Sequence, residues 1–331
     1  MSERVTIIGD GAMATVCALL LTQGGHEVTL WGVFEESINR LIQNRENQRL
    51  LPGVKLPRNV RLTANDAECF DGATLILSAV PTQFMRSVWK RLSNFVPAGV
   101  SIVSVAKGIE NQTLLRPTQI VADVVGRGRK LAALSGPNIA AELARYLPAT
   151  AVAAAEDDEF ARRIQSVFST QWFRVYTNCD VIGTELAGAT KNIIAIAAGI
   201  LDGLAAGNNA KAALVTRGLV EITRLGVAMG AAESTFQGLA GLGDLITTCV
   251  SPEGRNRTVG EQIGKGRKLQ DILGSMDSVA EGVPTTRSVR ELSLRFKVEM
   301  PITEAVHAVL FEGMDVIRAL TTLMTRESKA E

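Results

Sequence analysis

The segment Val5-Thr-Ile-Ile-Gly-Asp-Gly-Ala-Met-Ala14 decides the fold of this chain. Val5–Ile8 predicts a buried strand and Ala12–Gln23 a helix, and the turn between them follows the pattern G-x-G-x-x-G/A. In such a turn the first glycine allows the tight bend, the second lets a pyrophosphate approach the backbone, and the small third residue lets the helix pack on the strand. A glycine-rich turn without a ligand is the alternative. The strand–turn–helix context favours dinucleotide binding through Gly9, Gly11, Ala12, Met13 and Ala14.

The rest of the first half repeats this alternation of short apolar runs and helical stretches. Further strands are expected at Glu27–Trp31, Thr74–Ala79, Val100–Val105, Leu131–Leu134, Thr150–Ala155 and Phe173–Tyr176. Most of these runs are apolar throughout, which is typical of strands covered by helices on both faces. We therefore predict an α/β, Rossmann-like domain with a parallel, doubly wound sheet.

After about residue 178 the alternation of strands and helices ends, and the sequence pattern predicts helices only. The expected helices are Glu185–Leu201, Ala212–Met229, Val259–Leu273, Thr285–Arg295 and Thr303–Met324. Glycine and proline separate them, with no convincing strand between. We predict two domains, a dinucleotide-binding domain at 1–182 and an all-helical substrate domain at 183–331.

The composition indicates which ligands and which location are to be expected for this protein. The 331 residues are 46% hydrophobic and carry a formal net charge of +1, which gives no bulk attraction for nucleic acid or an anionic membrane. Two histidines and four cysteines form no metal-ligand spacing, so no metal site is expected. The chain enters a strand at once, without a segment like a signal peptide, and its most apolar stretch is too short to span a bilayer. We expect a cytoplasmic protein with no membrane span.

Coenzyme preference is left open by the residues that follow the second strand. An acidic residue there would bind the ribose 2′-hydroxyl of NAD, and an arginine would bind the 2′-phosphate of NADP. The strand runs into Gly32-Val33-Phe34-Glu35-Glu36, which has neither feature in place. Glu35 and Glu36 either reach the ribose or form the first turn of the next helix.

Lys191 is the most unusual residue, because it lies in a helix that is apolar on nearly every face. Such a helix should be buried, and burying an ammonium is costly unless the group is paired or used. A buried lysine can have its pKa lowered enough to exchange protons near neutrality. The alternative is a lysine whose aliphatic chain is buried while its ammonium group reaches the surface. The adjacent Asn192, a second polar group in the same run, favours function.

Polar residues also follow two predicted strands, at the sheet edge where ligands bind. Lys107 comes directly after one strand, and the small-residue loop Ser135-Gly136-Pro137-Asn138 follows the next. A solvated surface lysine is the alternative for Lys107.

Two further candidates lie in the helical half. Asp244 is a single carboxylate among glycines and apolar residues, and Gly254-Arg255-Asn256 stands at the expected start of a helix. An arginine beside helix N-terminal amides can bind a phosphate or carboxylate, although an ordinary capped helix with exposed arginines has the same sequence. His307 lies at helical spacing from Leu310 and Met314, so lysine is considered as the general base instead.

Together these segments resemble bacterial-type NAD(P)+-dependent glycerol-3-phosphate dehydrogenase. The resemblance runs from residue 4 to about 320 with its motifs in order. It rests on Gly9–Thr15, Gly25–Val28, Ala106–Gly108, Ser135–Pro137, Lys191–Asn192, Gly238–Leu245, Arg255–Arg257, Val279–Gly282 and Glu299–Glu304.

The resemblance implies reversible reduction of dihydroxyacetone phosphate to sn-glycerol 3-phosphate by NADH or NADPH, for glycerophospholipid synthesis. It also implies a helical domain like that of 6-phosphogluconate dehydrogenase, and a possible homodimer. Lys191 would be the proton acceptor in glycerol-3-phosphate oxidation, assisted by Lys107 and Asp244. The implied substrate contacts are Lys107, Gly136, Asn138, Lys191, Asn192, Asp244, Gly254, Arg255 and Asn256. The implied coenzyme contacts are Ala12, Met13, Lys107, Ala140, Arg255, Val279 and Glu281.

Three positions depart from the family pattern. Val33 stands where His or Arg is frequent, which weakens the case for 2′-phosphate recognition, and Gly254 stands where Ser is common. Met13 replaces an aromatic residue. Two alternatives stay open: a related reductase of a 3-hydroxyacid or ketopantoate, and a nucleotide-sensing protein without catalysis.

Overall fold

Eight strands form one sheet in the computed structural model, which describes residues 2–327. The strands are β1 (Arg4–Ile8), β2 (Glu27–Trp31), β3 (Arg61–Thr63), β4 (Leu75–Ser78), β5 (Ser101–Ser104), β6 (Leu131–Ser135), β7 (Ala149–Ala155) and β8 (Phe173–Asn178). Only β3, three partly exposed residues long, was not expected from the sequence.

The helices divide into those that cover the sheet and those that follow it. The first group is α1 (Ala12–Gln23), α2 (Glu35–Asn44), α3 (Thr82–Leu92), α4 (Pro117–Val125), α5 (Ala140–Ala144) and α6 (Asp158–Phe168). The second group is α7 (Val181–Gly203), α8 (Gly207–Ala228), α9 (Glu233–Gln237), α10 (Asp244–Val250), α11 (Arg255–Gly264), α12 (Leu269–Gly274), α13 (Gly282–Phe296), α14 (Pro301–Phe311) and α15 (Val316–Met324). A π-helical turn, Leu239–Gly243, leads directly into α10.

The strand order is β3-β2-β1-β4-β5-β6-β7-β8, and every neighbouring pair from β3 to β6 is parallel. The order reverses between β1 and β4, which is the switch point of a doubly wound sheet. Buried apolar clusters lie on both sheet faces, and a third fills the helical half. The structure confirms a Rossmann-like α/β region followed by a helical one.

The predicted parallel, doubly wound sheet is confirmed from β3 to β6, and the one antiparallel pairing between its described strands, which the sequence analysis did not anticipate, is at β7. This strand pairs antiparallel with β6, and β8 follows it in parallel. The connecting helix α5 has five residues and rises only about 7.5 Å, whereas a strand as long as β7 spans roughly 23 Å. Because α5 is too short to carry the chain back along the sheet, the next strand runs in the opposite direction.

This reversal places α7 beside the sheet. The chain leaves β8 at the edge opposite the carboxyl end of β6, and α7 begins there with Val181 packed against Ala133 and Ala154. The helix then runs along the sheet, so that Gly188 lies against Ser135 at the end of β6. Lys191, about 15 Å along the helix from Val181, therefore arrives at the carboxyl edge.

The helix α7 is the buried core of the second half. By length and composition alone it is sufficient to cross a membrane, but 94% of its most apolar window is covered by the rest of the protein. That is the position of a core helix in a folded domain.

Two expected helices are each divided in the structure. The stretch 259–273 is split between α11 and α12, and the stretch 303–324 between α14 and α15. Gly266 and Gly313 stand at the breaks with φ of +86° and +71°. Glycine adopts this left-handed conformation without steric cost and ends the preceding helix.

Glycines also let α7 and α11 pack with their backbones in contact. A Cβ atom at Gly260 of α11 would overlap the carbonyl oxygen of Ile196, and one at Gly199 of α7 would overlap that of Arg257. This contact fixes the position of α11, and hence of its first residues, relative to Lys191.

Candidate active site

Lys191 is 5% exposed, and its ammonium has partners inside the protein. Its Nζ lies 2.9 Å from Oδ1 of Asp244 and donates a hydrogen bond to Oγ1 of Thr248. The alternative of a side chain that reaches the surface is wrong, because the nitrogen faces α10 and the sheet edge.

Lys107 reaches the same carboxylate from the other side. It follows β5, and its Nζ donates to Oδ2 of Asp244 at 2.8 Å, to Oδ1 of Asn138 at 2.8 Å and to the carbonyl oxygen of Gly136 at 2.9 Å. The side chain is only 15% exposed, so Lys107 is not the solvated surface lysine of the alternative interpretation. These three partners come from the loop after β6 and from α10, two segments that are far apart in the sequence.

One buried carboxylate thus lies between two lysines, and we call Lys107, Lys191 and Asp244 the charged triad. Burial, and to a smaller extent the nearby Lys191, lower the pKa of Lys107 to about 8 against the opposing attraction of Asp244. With both lysines protonated and the carboxylate ionised, the triad carries one net positive charge on side chains that are at most 15% exposed. Such a site is suited to an anionic ligand or to an oxygen that becomes negative during a reaction.

Thr248 is a member of this site that sequence reasoning did not assign. It lies four residues after Asp244, one turn along α10, so both side chains point to the same side. Its Oγ1 accepts from Lys191 and lies 3.4 Å from Oδ1 of Asp244. The helical i, i+4 spacing from Asp244 was the signal that would have identified it.

Asn192 and Glu281 hold the loop that carries Lys107. Nδ2 of Asn192 donates to the carbonyl oxygen of Lys107 at 2.9 Å, and Oε1 of Glu281 accepts from the backbone N–H of Thr82 at 2.8 Å. Burial raises the pKa of Glu281, against hydrogen bonds from Thr82 and the Lys107 backbone that lower it. The observed bonds of both side chains therefore position the Lys107 loop and the start of α3.

The start of α11 carries Gly254, Arg255 and Asn256 and lies beside the end of α10, since a Cβ at Gly254 would be 3.2 Å from the carbonyl oxygen of Thr248. Gly254 is the N-cap residue, and Oδ1 of the buried Asn256 accepts from the backbone N–H of Gly282 at 2.9 Å. Arg255 is exposed, and its Nη1 donates to the carbonyl oxygen of Val279 at 3.0 Å. An oriented amide, a guanidinium and free helix N–H groups here make an arrangement able to bind a phosphate.

The glycine turn has the shape that a dinucleotide requires. Gly9, with φ of +121°, leaves only 2.7 Å between a hypothetical Cβ and the carbonyl oxygen of Ala79. A Cβ at Gly11 would meet nothing within 4 Å, so the backbone of the turn is open on its ligand side. Ala14 is fully buried, while Ala12, Met13 and Ala140 are partly buried against the same core. The residues present therefore fit a bound pyrophosphate.

The glycine turn and the charged triad lie on one edge of the sheet. Gly9 follows β1 and Lys107 follows β5, with β4 between them, so the two strand ends are about 10 Å apart. Glu35 and Glu36 form the first turn of α2, as one of the two interpretations expected. Among residues 2–327 no group of three or more His, Cys, Asp or Glu side chains is arranged to hold a metal.

Two family models together match most of the chain. The model described as NAD-dependent glycerol-3-phosphate dehydrogenase N-terminus matches residues 4–161, and the corresponding C-terminus model matches residues 180–321. A glycerol-3-phosphate dehydrogenase [NAD(P)+] of Citrifermentans bemidjiense is 49% identical, with 100% of this chain and 99% of that protein covered.

Solved structures agree with the sequence relatives. Glycerol-3-phosphate dehydrogenase of Coxiella burnetii superimposes with a TM-score of 0.94 at 35% identity, over 98% of this chain and 99% of that one. A ketopantoate reductase of Ralstonia eutropha, the rival considered above, has a TM-score of 0.60 at 14% identity over 93% and 97% of the two chains. The second likeness extends to the fold alone.

Proposed function

The chain belongs to the NAD-dependent glycerol-3-phosphate dehydrogenase family, and we propose that it reduces dihydroxyacetone phosphate to sn-glycerol 3-phosphate, reversibly, for glycerophospholipid synthesis. NADH or NADPH is the coenzyme, and when bound on Gly9–Ala14 it supplies the hydride. The observation that carries the proposal is the charged triad: the buried Lys191 and the largely buried Lys107 share one carboxylate at the sheet edge that also carries the glycine turn.

We propose that the substrate phosphate binds at the start of α11. Arg255, Asn256 and the helix N–H groups after Gly254 are the cationic and donor groups there. Binding at the phosphate fixes the carbonyl group of the substrate close to the triad, so that binding energy far from the reacting carbon is used for orientation. Gly136 and Asn138, which already accept from Lys107, form the adjacent wall.

Lys191 then acts as the general acid. As C2 is reduced, negative charge grows on its oxygen, and the Lys191 ammonium stabilises and protonates that oxygen. In the reverse direction neutral Lys191 removes the hydroxyl proton. Asp244 holds both lysines in place, Thr248 fixes the position of the Lys191 Nζ, and Lys107 contributes a second positive charge to the oxygen.

One absorbance assay at about 340 nm, a property of the reduced coenzymes, tests this function against both alternatives. We expect oxidation of NADH or NADPH with dihydroxyacetone phosphate and none above background with ketopantoate or a 3-oxoacid. Those substrates carry a carboxylate in place of the phosphate, so a preference for them would contradict the proposal. Coenzyme binding without turnover of any triose phosphate would support the sensor alternative, which has no need of the buried Lys191.

Arg255→Ala should chiefly raise the KM for dihydroxyacetone phosphate, by about 10-fold or more, because it removes one charge-assisted contact to the phosphate. The kcat should change much less, since the hydrogen bond of Arg255 is to the carbonyl oxygen of Val279 and not to a member of the triad. The check is steady-state kinetics with dihydroxyacetone phosphate and with unphosphorylated dihydroxyacetone. Equal loss with both substrates would show that Arg255 does not bind the phosphate.

We further propose that residues 1–182 bind the coenzyme, that residues 183–331 supply the general acid and the phosphate site, and that the enzyme is a cytoplasmic homodimer. The free thiols of Cys17, Cys69, Cys179 and Cys249 agree with a reducing compartment. The support for the dimer is the resemblance to the family, and the mass of the protein in solution tests it.

A further inference from the structure

The carboxylate of Asp10 lies beyond the carboxyl end of β2, although Asp10 belongs to the glycine turn after β1. Its Oδ2 accepts a hydrogen bond of 2.6 Å from Oγ of Ser37 in the first turn of α2. Gly32, the residue after β2, is so close that a Cβ there would lie 3.1 Å from the Asp10 Cβ. In Rossmann domains this is the location at which the adenosine ribose is recognised.

The position of Asp10 is fixed from its backbone as well. Nδ2 of the buried Asn47 donates to the carbonyl oxygen of Asp10 at 2.8 Å and to Oγ1 of Thr15 at 3.1 Å. Asp10 itself is partly exposed, so its carboxylate is both held in place and accessible from the cleft. A fixed and accessible carboxylate is the group that binds a ribose hydroxyl in NAD-dependent enzymes.

Two arginines, Arg40 and Arg91, lie around the end of β2, and each already has other partners. No lysine or arginine occurs at residues 32–39, and Arg40 pairs with Glu36 at 2.6 Å. Arg91 binds Asp66 through Nε and Nη2, each at 2.7 Å, and donates to the carbonyl oxygen of Val33 at 3.0 Å. A 2′-phosphate at the end of β2 would therefore be repelled by the carboxylate of Asp10. Neither guanidinium group is free to offset that repulsion, because each is held by another partner.

We propose that Asp10, oriented by Ser37, makes this enzyme prefer NADH over NADPH. The carboxylate accepts a hydrogen bond from the ribose 2′-hydroxyl and repels a 2′-phosphate, so it takes the role of the acidic residue that β2 lacks. The inference rests on the proposed binding of the coenzyme to Gly9–Ala14. A purely structural role, in which Asp10 only ties α2 to the glycine turn, is the competing explanation.

The test compares ADP-ribose with 2′-phospho-ADP-ribose, which share the adenosine end of the coenzymes and lack the nicotinamide. Calorimetry should give the unmodified enzyme at least a ~10-fold tighter Kd for ADP-ribose. Asp10→Asn keeps the shape and can still bond Ser37 but loses the charge, so it should reduce this preference at least ~10-fold. The ratio of kcat/KM for NADH and NADPH should move in the same direction.

Two further variants separate the explanations. Glu27→Gln removes one acidic charge from the start of β2, at the sheet edge opposite Asp10. It should leave the preference for ADP-ribose unchanged. Ser37→Ala breaks the tie to α2 but keeps the charge, so it should retain most of the preference. A structural role predicts the reverse, a larger effect from Ser37→Ala than from Asp10→Asn.

The possible failures are distinguishable. If the unmodified enzyme binds neither nucleotide, the proposed coenzyme site is wrong and this inference falls with it. If it binds both, but without a preference for ADP-ribose or with one that Asp10→Asn does not change, only the inference about Asp10 is overturned.

Discussion

Replacing Lys191 by alanine should lower kcat at least ~100-fold, the usual scale for loss of a general acid–base. Lys191 is 5% exposed, and its ammonium belongs to the charged triad, where we place the substrate oxygen. Coenzyme affinity should change little, because the contacts of the Lys191 ammonium are with Asp244 and Thr248 of α10 and not with the glycine turn. Steady-state turnover and the Kd of the reduced coenzyme measure the two effects separately.

Two further variants show whether proton transfer is the cause. Lys191→Arg keeps the positive charge but cannot exchange a proton near neutrality, so it should remain close to Lys191→Ala in turnover. Lys211→Ala removes a partly buried lysine on α8 that pairs with Asp202, and should leave kcat nearly unchanged. Near-normal turnover of Lys191→Ala would reject the assignment of Lys191 as general acid.

Asp244→Asn should be almost as damaging, since it removes the one carboxylate that the two lysines share. The amide can present an oxygen to only one ammonium, and its NH2 group then faces the other. We expect kcat to fall at least ~100-fold and the free energy of unfolding to fall by about 3 kcal/mol, because a buried charge loses its partner.

The pH dependence distinguishes this effect from simple misfolding. In the unmodified enzyme Lys107 is charged below pH about 8 and neutral above it, so kcat/KM for the anionic substrate should decline above that pH. Asp244 favours the charged form, and its loss lowers the pKa of Lys107; the decline should therefore begin at lower pH in Asp244→Asn.

The matched control is Asp202→Asn, because Asp202 also lies between two cations, Lys211 and Arg257. It lies on α7 roughly 16 Å from Lys191. We expect Asp202→Asn to lower stability without moving the alkaline decline. An unshifted decline in Asp244→Asn would mean that Asp244 does not control the charge of Lys107.

Local sequence patterns predicted most of the sheet, because β1, β2, β4, β5 and β6 each follow from their own run of strand-forming residues, whereas the short β3 has no such run. They did not predict the direction of β7, since an apolar strand has the same composition in either orientation and only the shortness of α5 decides. The divided helices had a recognisable signal in Gly266 and Gly313. The apolar spacing continued across both glycines and concealed it.

The candidate site was predicted residue by residue but not as an arrangement. Lys191 was identifiable because a cation in an apolar helix requires a partner, yet the sequence does not say which partner. Lys107 and Asp244 are 137 residues apart, and only the tertiary fold, with α10 packed on α7, brings Lys107 Nζ within 2.8 Å of Asp244 Oδ2. Thr248 was missed because a threonine beside apolar residues has no charge that demands explanation.

The close approach of α7 and α11 limits how this enzyme can be redesigned for bulkier substrates. Where the backbones of two helices touch, there is no side chain to shorten, so neither helix can slide without displacing the other. Lys191 lies on one helix of that pair and the proposed phosphate site on the other, so the backbone contact fixes the distance between them. Mutant libraries that vary the loops around the site should therefore change the accepted substrate size more readily than libraries that vary the contact between α7 and α11.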